Sequence, residues 1–142
     1  MSEMNNKYPL DHDEIVSLLQ SYDISPTRQR VEIAEFLFRK QQHLSADNIL
    51  EGVNQNGHRV SRATVYNSMG LFANKGLVRE VLIDRERVFY DSNSSSHHHV
   101  YNMDTGELMD VEGAGIEIKG LPEMTDGARV VDTDVIVRVS SK

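Results

Sequence analysis

The chain contains no cysteine and no tryptophan. Without cysteine there is no disulfide framework, no thiolate zinc knuckle, no iron–sulfur cluster and no thiol nucleophile. Nowhere does a run approach the roughly 20 apolar residues that a membrane helix needs. The opening segment, MSEMNNKYPLDHDE, has no apolar signal core, so a cytoplasmic location is expected. Basic residues are in the minority, 15 Lys and Arg against 22 Asp and Glu, for a net charge of −7. That balance argues against a protein that coats nucleic acid through bulk charge, but leaves room for a local basic face. The length of 142 residues suits one medium domain or two small ones.

What is present reads as helices first and strands afterwards. Ile15, Val16, Leu18, Leu19 and Tyr22 fit one face of a helix from His12, with Asp11 or Asp13 as its cap. Ser25 and Pro26 read as cap and first position of a second helix, carried to about Lys40 by Val31, Ala34, Phe36, Leu37 and Phe38. His43-Leu44-Ser45 reads as a connector, with Ser45 capping a third helix over 46–54. After a turn at Asn54-Gln55-Asn56-Gly57, Ser61 caps a fourth helix from Arg62 to about Asn74, and Lys75-Gly76 ends it. Two β-rich runs, Leu77–Ile83 and Arg87–Tyr90, flank Asp84-Arg85-Glu86 as a hairpin. The sharpest change of composition is DSNSSS at 91–96, which reads as a hinge. Beyond it, strands are expected at His97–Asn102, Glu107–Val111, Gly115–Leu121 and Val130–Val139.

Helices followed by a hairpin is the order of a winged helix-turn-helix, whose last helix enters the major groove. Local charge agrees. Residues 24–90 hold ten Lys and Arg against seven Asp and Glu, a balance of +3 that leaves −10 for the rest. On the fourth helix Arg62, Thr64, Tyr66 and Asn67 are types that reach phosphates and base edges. Arg28, Arg59 and Arg85 are candidate phosphate contacts. The fold class expected is therefore α+β: a DNA-binding domain over 1–90, a hinge at 91–96 and a second domain over 97–142.

His97-His98-His99 follows the hinge. On a strand, His97 and His99 share one face and His98 takes the other. Imidazoles at i and i+2 suit zinc, iron and manganese, and Asp91 and Asp110 are carboxylates close in sequence. His43, between helices two and three, supplies a further imidazole. The candidate metal set is His43, Asp91, His97, His99 and Asp110. Nothing suggests a substrate cleft, so no enzymatic activity is expected.

The sequence resembles the ferric uptake regulator (Fur) family over nearly its full length. The resemblance is carried by Thr27-Arg28-Gln29-Arg30, His43-Leu44-Ser45-Ala46-Asp47, Ser61-Arg62-Ala63-Thr64-Val65-Tyr66-Asn67, Lys75-Gly76-Leu77-Val78 and His97-His98-His99. Phe89-Tyr90-Asp91-Ser92-Asn93 and the shortened tail look most like the iron response regulator branch. The resemblance implies a homodimeric winged-helix transcription regulator with a C-terminal α/β dimerisation domain. It implies the same five metal-site residues, and a recognition helix over 62–74 with Tyr66 at the DNA. The family's paired Cys-x-x-Cys zinc motif would begin at Asn102 and Thr105, so a structural four-cysteine zinc site is absent. The iron response branch implies a regulator of iron and haem homeostasis, active under low iron and inactivated by haem, with ferrochelatase as a partner. Haem ligation would fall to His97, His98 and His99. The alternative is direct sensing of Mn²⁺, Fe²⁺ or Zn²⁺, with a peroxide-sensing variant when the ion is iron.

Overall fold

The computed structural model describes residues 8–55, 57, 59–93, 98–111 and 115–142. The chain forms two compact units, residues 1–95 and 96–142. The first holds four helices, α1 (His12–Ser21), α2 (Arg28–Leu37), α3 (Ala46–Asn54) and α4 (Arg62–Asn74), and three strands, β1 (His43–Leu44), β2 (Arg79–Leu82) and β3 (Val88–Asp91). The second holds β4 (His98–Asn102), β5 (Leu108–Val111) and β6 (Ile136–Val139).

Each helix of the first unit starts on a side-chain cap. Asp11 and Glu14 form a reciprocal capping box on α1, and Ser45 and Asn48 form one on α3. Ser61 caps α4 by accepting from the Thr64 N–H at 3.1 Å. The cap of α2 is Thr27 rather than Ser25, since the Thr27 hydroxyl accepts from the Arg30 N–H. Pro26 thus precedes the helix instead of opening it. That helix ends at Leu37, three residues short of the expected Lys40, where Gln42 Nε2 donates to the Phe36 and Leu37 carbonyls.

The helices close on one core. Ile15, Leu19, Ile33, Leu37, Phe38, Ile49, Val65, Met69 and Phe72 are fully buried in it. α2 and α3 approach closely at Gly52, where a β-carbon would collide with the Phe36 ring. Gly76 sits at φ +82° just past α4, a backbone conformation that suits glycine at a helix end. The sheet order is β1-β3-β2, antiparallel throughout. His43-Leu44, read as a connector, is therefore a strand. Asp91, read as the first hinge residue, is the last residue of β3, and Ser92 is buried beside it.

In the second unit the order is β5-β4-β6, with β4 antiparallel to β5 and parallel to β6. Its described residues contain strand and coil and no helix, so the α/β expectation for this unit is corrected to β among them. The Gly115–Leu121 run is coil, with Gly120 at φ +78°. The last run is strand only over Ile136–Val139, the length that β4 pairs. Among the described residues no helix is long and apolar enough to cross a membrane.

A clasp ties β6 to the β4–β5 turn. Asp104 accepts from the Ser141 N–H and hydroxyl, each at 2.8 Å, and from the Ser140 hydroxyl at 3.0 Å. The Ser141 N–H, then the two hydroxyls, holds the Asp104 carboxyl below the usual aspartate range. A depressed carboxyl pKa stabilises the folded form above the unfolded value, and that gain is lost as pH falls through the folded one. The Ser141 amide resonance should therefore follow a titration with its midpoint below the usual aspartate range. In Asp104→Asn that titration should vanish and amide exchange over 137–141 should speed up several-fold; unchanged exchange would contradict the clasp.

Candidate metal centre and helix-turn-helix face

In each unit an imidazole–carboxylate pair is built across neighbouring strands by the same device. In the first unit His43 and Asp91 are direct cross-strand partners on β1 and β3. Side chains of such partners lie on one face, close enough to touch. His43 Nε2 lies 3.0 Å from Asp91 Oδ2. Asp91 is fully buried, and its Oδ1 accepts from the Asn93 N–H at 2.8 Å.

A two-residue strand has little reason to form alone, and Gln42 and Ser92 supply one. The Gln42 N–H donates to Ser92 Oγ at 3.1 Å, and the Ser92 N–H to the Gln42 carbonyl at 3.3 Å. With its amide on the end of α2, Gln42 fixes where β1 starts. It thereby sets His43 opposite Asp91. The sequence reading missed Gln42 and Ser92 because their partnership spans fifty positions.

In the second unit His99 and Asp110 are direct cross-strand partners on β4 and β5. His99 Nε2 lies 3.3 Å from Asp110 Oδ1. His99 is fully buried, and its N–H donates to the Val135 carbonyl at 3.1 Å. His98 is on the opposite face of β4, as alternation requires. Its Nδ1 accepts from the Val135 N–H at 3.1 Å. With Nδ1 accepting, the neutral ring carries its proton on Nε2, so ligation through Nε2 requires the other tautomer and loss of the Val135 bond. His97 lies outside the described residues.

Each pair offers one imidazole nitrogen and one carboxylate. A mixed N/O set without sulfur fits Mn²⁺, Fe²⁺ or Zn²⁺ and is poor for Cu⁺. A buried histidine hydrogen-bonded to a carboxylate is also a common arrangement around such ions.

The candidate DNA-contacting residues fall on α2, α4 and the loops. α3 and α4 are joined by a clamp: Asn54 Nδ2 donates to the Val60 carbonyl at 2.9 Å, and its Oδ1 accepts from the Val60 N–H at 2.8 Å. One side chain thus sets where α4 begins relative to α3. α4 buries Val65, Met69 and Phe72 and exposes Arg62, Tyr66 and Asn67. Thr64 is half-buried, and its hydroxyl accepts from Ser61 Oγ at 2.9 Å. Arg62 and Tyr66 are both held by Asp47 of α3, a residue whose part in this face the sequence reading missed. Arg28 is exposed on the first turn of α2, paired with Glu32 at 3.1 Å. Arg59 and Arg85 are exposed, the first before Val60 and the second in the β2–β3 turn.

A family model described as "Ferric uptake regulator family" matches residues 22–137. A curated relative, the peroxide-responsive repressor PerR of Staphylococcus aureus (strain Mu50), is 28% identical over 116 residues, which cover 80% of this chain and 78% of that protein. Among solved structures, the ferric uptake regulator from Pseudomonas aeruginosa with manganese is 26% identical with a TM-score of 0.67. That alignment covers 89% of this chain and 96% of the other. The ferric uptake regulator from Francisella tularensis with iron, at 23% identity and a TM-score of 0.66, shows the same fold over 84% of this chain and 92% of its own.

Proposed function

Because the chain belongs to the ferric uptake regulator family, a family of metal-responsive transcription regulators rather than enzymes, we propose that it is a DNA-binding repressor switched by direct binding of Mn²⁺, Fe²⁺ or Zn²⁺. The observation that carries this reading is the pair of cross-strand His–carboxylate couples, one in each unit. The proposed ligands of the ion are His43, Asp91, His99 and Asp110. The chain's own residues supply the donors, the burial and the sheet registers. His97 belongs to the proposed ligand set by its place in the sequence, one residue before His98. The likeness to a ferric uptake regulator solved with manganese supports the class of ion.

The protein works as a homodimer in this reading. The open face of the second unit's sheet supports it: Met109 and Val137 stay about 40% exposed on either side of Val100, with Val139 next to them. Such a contiguous apolar face suits a second copy.

DNA binding rests on α4. Arg62, Thr64, Tyr66 and Asn67 face or position the groove, and Arg28, Arg59 and Arg85 contact phosphates. With the Mn²⁺-loaded chain, selection from a random-sequence duplex pool is expected to enrich a defined site. Tyr66→Ala should weaken binding to that site by about tenfold or more, the worth of one good base or sugar contact. Failure to enrich any sequence would overturn the reading.

A haem-responsive regulator of the iron response type, partnered by ferrochelatase, would place the effector on the 97–99 histidines. The hydrogen bond that holds His98 Nδ1 favours the direct-ion reading instead. A peroxide-responsive variant has the likeness to the Staphylococcus aureus repressor in its favour. It predicts that the Fe²⁺-loaded chain, treated with peroxide, gains one oxygen on a ligand histidine and releases DNA. A treated chain with unchanged mass and DNA affinity would remove it.

A further inference from the structure

Asp47 is the second residue of α3, where a carboxylate suits the partial positive charge of a helix N-terminus. Capping does not need it, because Ser45 and Asn48 already satisfy that end. Its carboxylate is turned instead to α4. Asp47 Oδ1 accepts from Arg62 Nη1 at 2.7 Å and from the Tyr66 hydroxyl at 3.0 Å. Arg62 Nη1 is also 3.4 Å from the Tyr66 oxygen, and the guanidinium carbon lies 5.8 Å from the Tyr66 ring centroid. Two long side chains on the exposed face of α4 are therefore tied to one acid. Hydrogen bonds from Arg62, then Tyr66, hold the Asp47 carboxyl below its usual range, so it is ionised near neutral pH.

An exposed ion pair of this kind adds little to stability. Its position gives it another consequence. A fixed negative charge stands on a face meant for a polyanion, and it occupies a donor that any phosphate would otherwise attract.

Resting on the DNA-binding reading above, we propose that Asp47 is a specificity-determining residue that acts through Arg62 and Tyr66. On a duplex of arbitrary sequence, Arg62 merely exchanges the Asp47 carboxylate for a phosphate, and Asp47 is left facing the backbone. On the target sequence, base-edge contacts from the rest of α4 hold the helix while Arg62 keeps the Asp47 carboxylate as its partner, so that exchange is not required. Asp47 therefore weakens non-target binding more than target binding.

The test compares the full Mn²⁺-loaded chain with Asp47→Asn on two duplexes: the site enriched from a random pool, and a scrambled sequence of equal composition. Asparagine keeps the shape and removes the charge. Non-target affinity is expected to rise by about three- to tenfold and its salt slope to steepen by about one phosphate contact. Target affinity should rise less, so the ratio of the two falls. Asp47→Glu should restore the ratio. In an Arg62→Ala background, Asp47→Asn should no longer change it, because the acid acts through that arginine. An unchanged or increased ratio would overturn the proposal. So would an equal effect with and without Arg62, which would mean bulk charge alone. If the wild-type chain does not prefer the enriched site, the DNA-binding reading itself fails, and this inference with it. If Asp47→Asn does not fold, Asp47→Ala carries the same comparison.

Discussion

His99→Ala is expected to lower Mn²⁺ affinity by at least about a hundredfold, because even the outer partners of metal ligands are commonly worth about 10- to 100-fold. His99 is fully buried on the central strand of its sheet, with Asp110 opposite on one side and Ile136 on the other. Loss of the imidazole removes a donor and also leaves a void beside Asp110. His99→Gln separates the two effects. It fills most of the space and can still hydrogen-bond Asp110, yet an amide is a poor ligand for these ions. Both variants should lose metal while keeping the wild-type far-ultraviolet circular dichroism. The proposed ligand set makes a further demand. His43→Ala, on a different sheet, should cost about as much as His99→Ala. Calorimetric titration showing one variant unaffected would mean that the two pairs do not share an ion.

Phe72→Ala should be the most damaging single change to the fold. Phe72 is fully buried on α4, in register with Val65 and Met69, and its carbonyl accepts from the Leu77 N–H at 2.9 Å. Truncating a buried phenylalanine typically costs about 3–5 kcal/mol through lost transfer free energy and the cavity left behind. That is a large share of the stability of a small domain. The loss should appear as a lower urea midpoint for the first unit. Tyr66→Ala, on the opposite face of the same helix, is expected to stay within about 0.5 kcal/mol of wild type. The contrast separates the helix's two faces: one holds it in the core, and the other is the face proposed to meet DNA. A Phe72→Ala chain as stable as wild type would contradict the packing described.

The same helix shows why part of the fold was legible. Ser45 and Ser61 announce their helices because a cap and its N–H partner are three residues apart. Gly76 marks the end of α4 for an equally local reason. Strand β1 was illegible for the opposite reason. It exists because Gln42 meets Ser92, and no window of sequence holds both. The pairing of His43 with Asp91 follows from that strand, so the residue types suggested a metal set without indicating how it is built. Gly115–Leu121 has a strand-like composition, yet none of the described strands pairs with it, and composition without a partner makes no strand. Val130–Val139 was shortened because β4 offers only Tyr101 and its neighbours to pair with it. Asp47 was passed over because its partners are fifteen and nineteen residues away on another helix.

The missing cysteines gain a physical meaning here. The second unit is held among its described residues by strand pairing and by the Asp104 clasp, and the donors it offers a metal are nitrogen and oxygen. The central claim is that such an ion switches DNA binding on. The direct measurement is the affinity of the full chain for its enriched duplex, first stripped with chelator and then reloaded with Mn²⁺, at one fixed salt concentration. The account predicts binding at least about tenfold tighter with Mn²⁺, an allosteric coupling of ordinary size, and loss of that gain in His99→Ala. Equally tight binding by the stripped chain would contradict it.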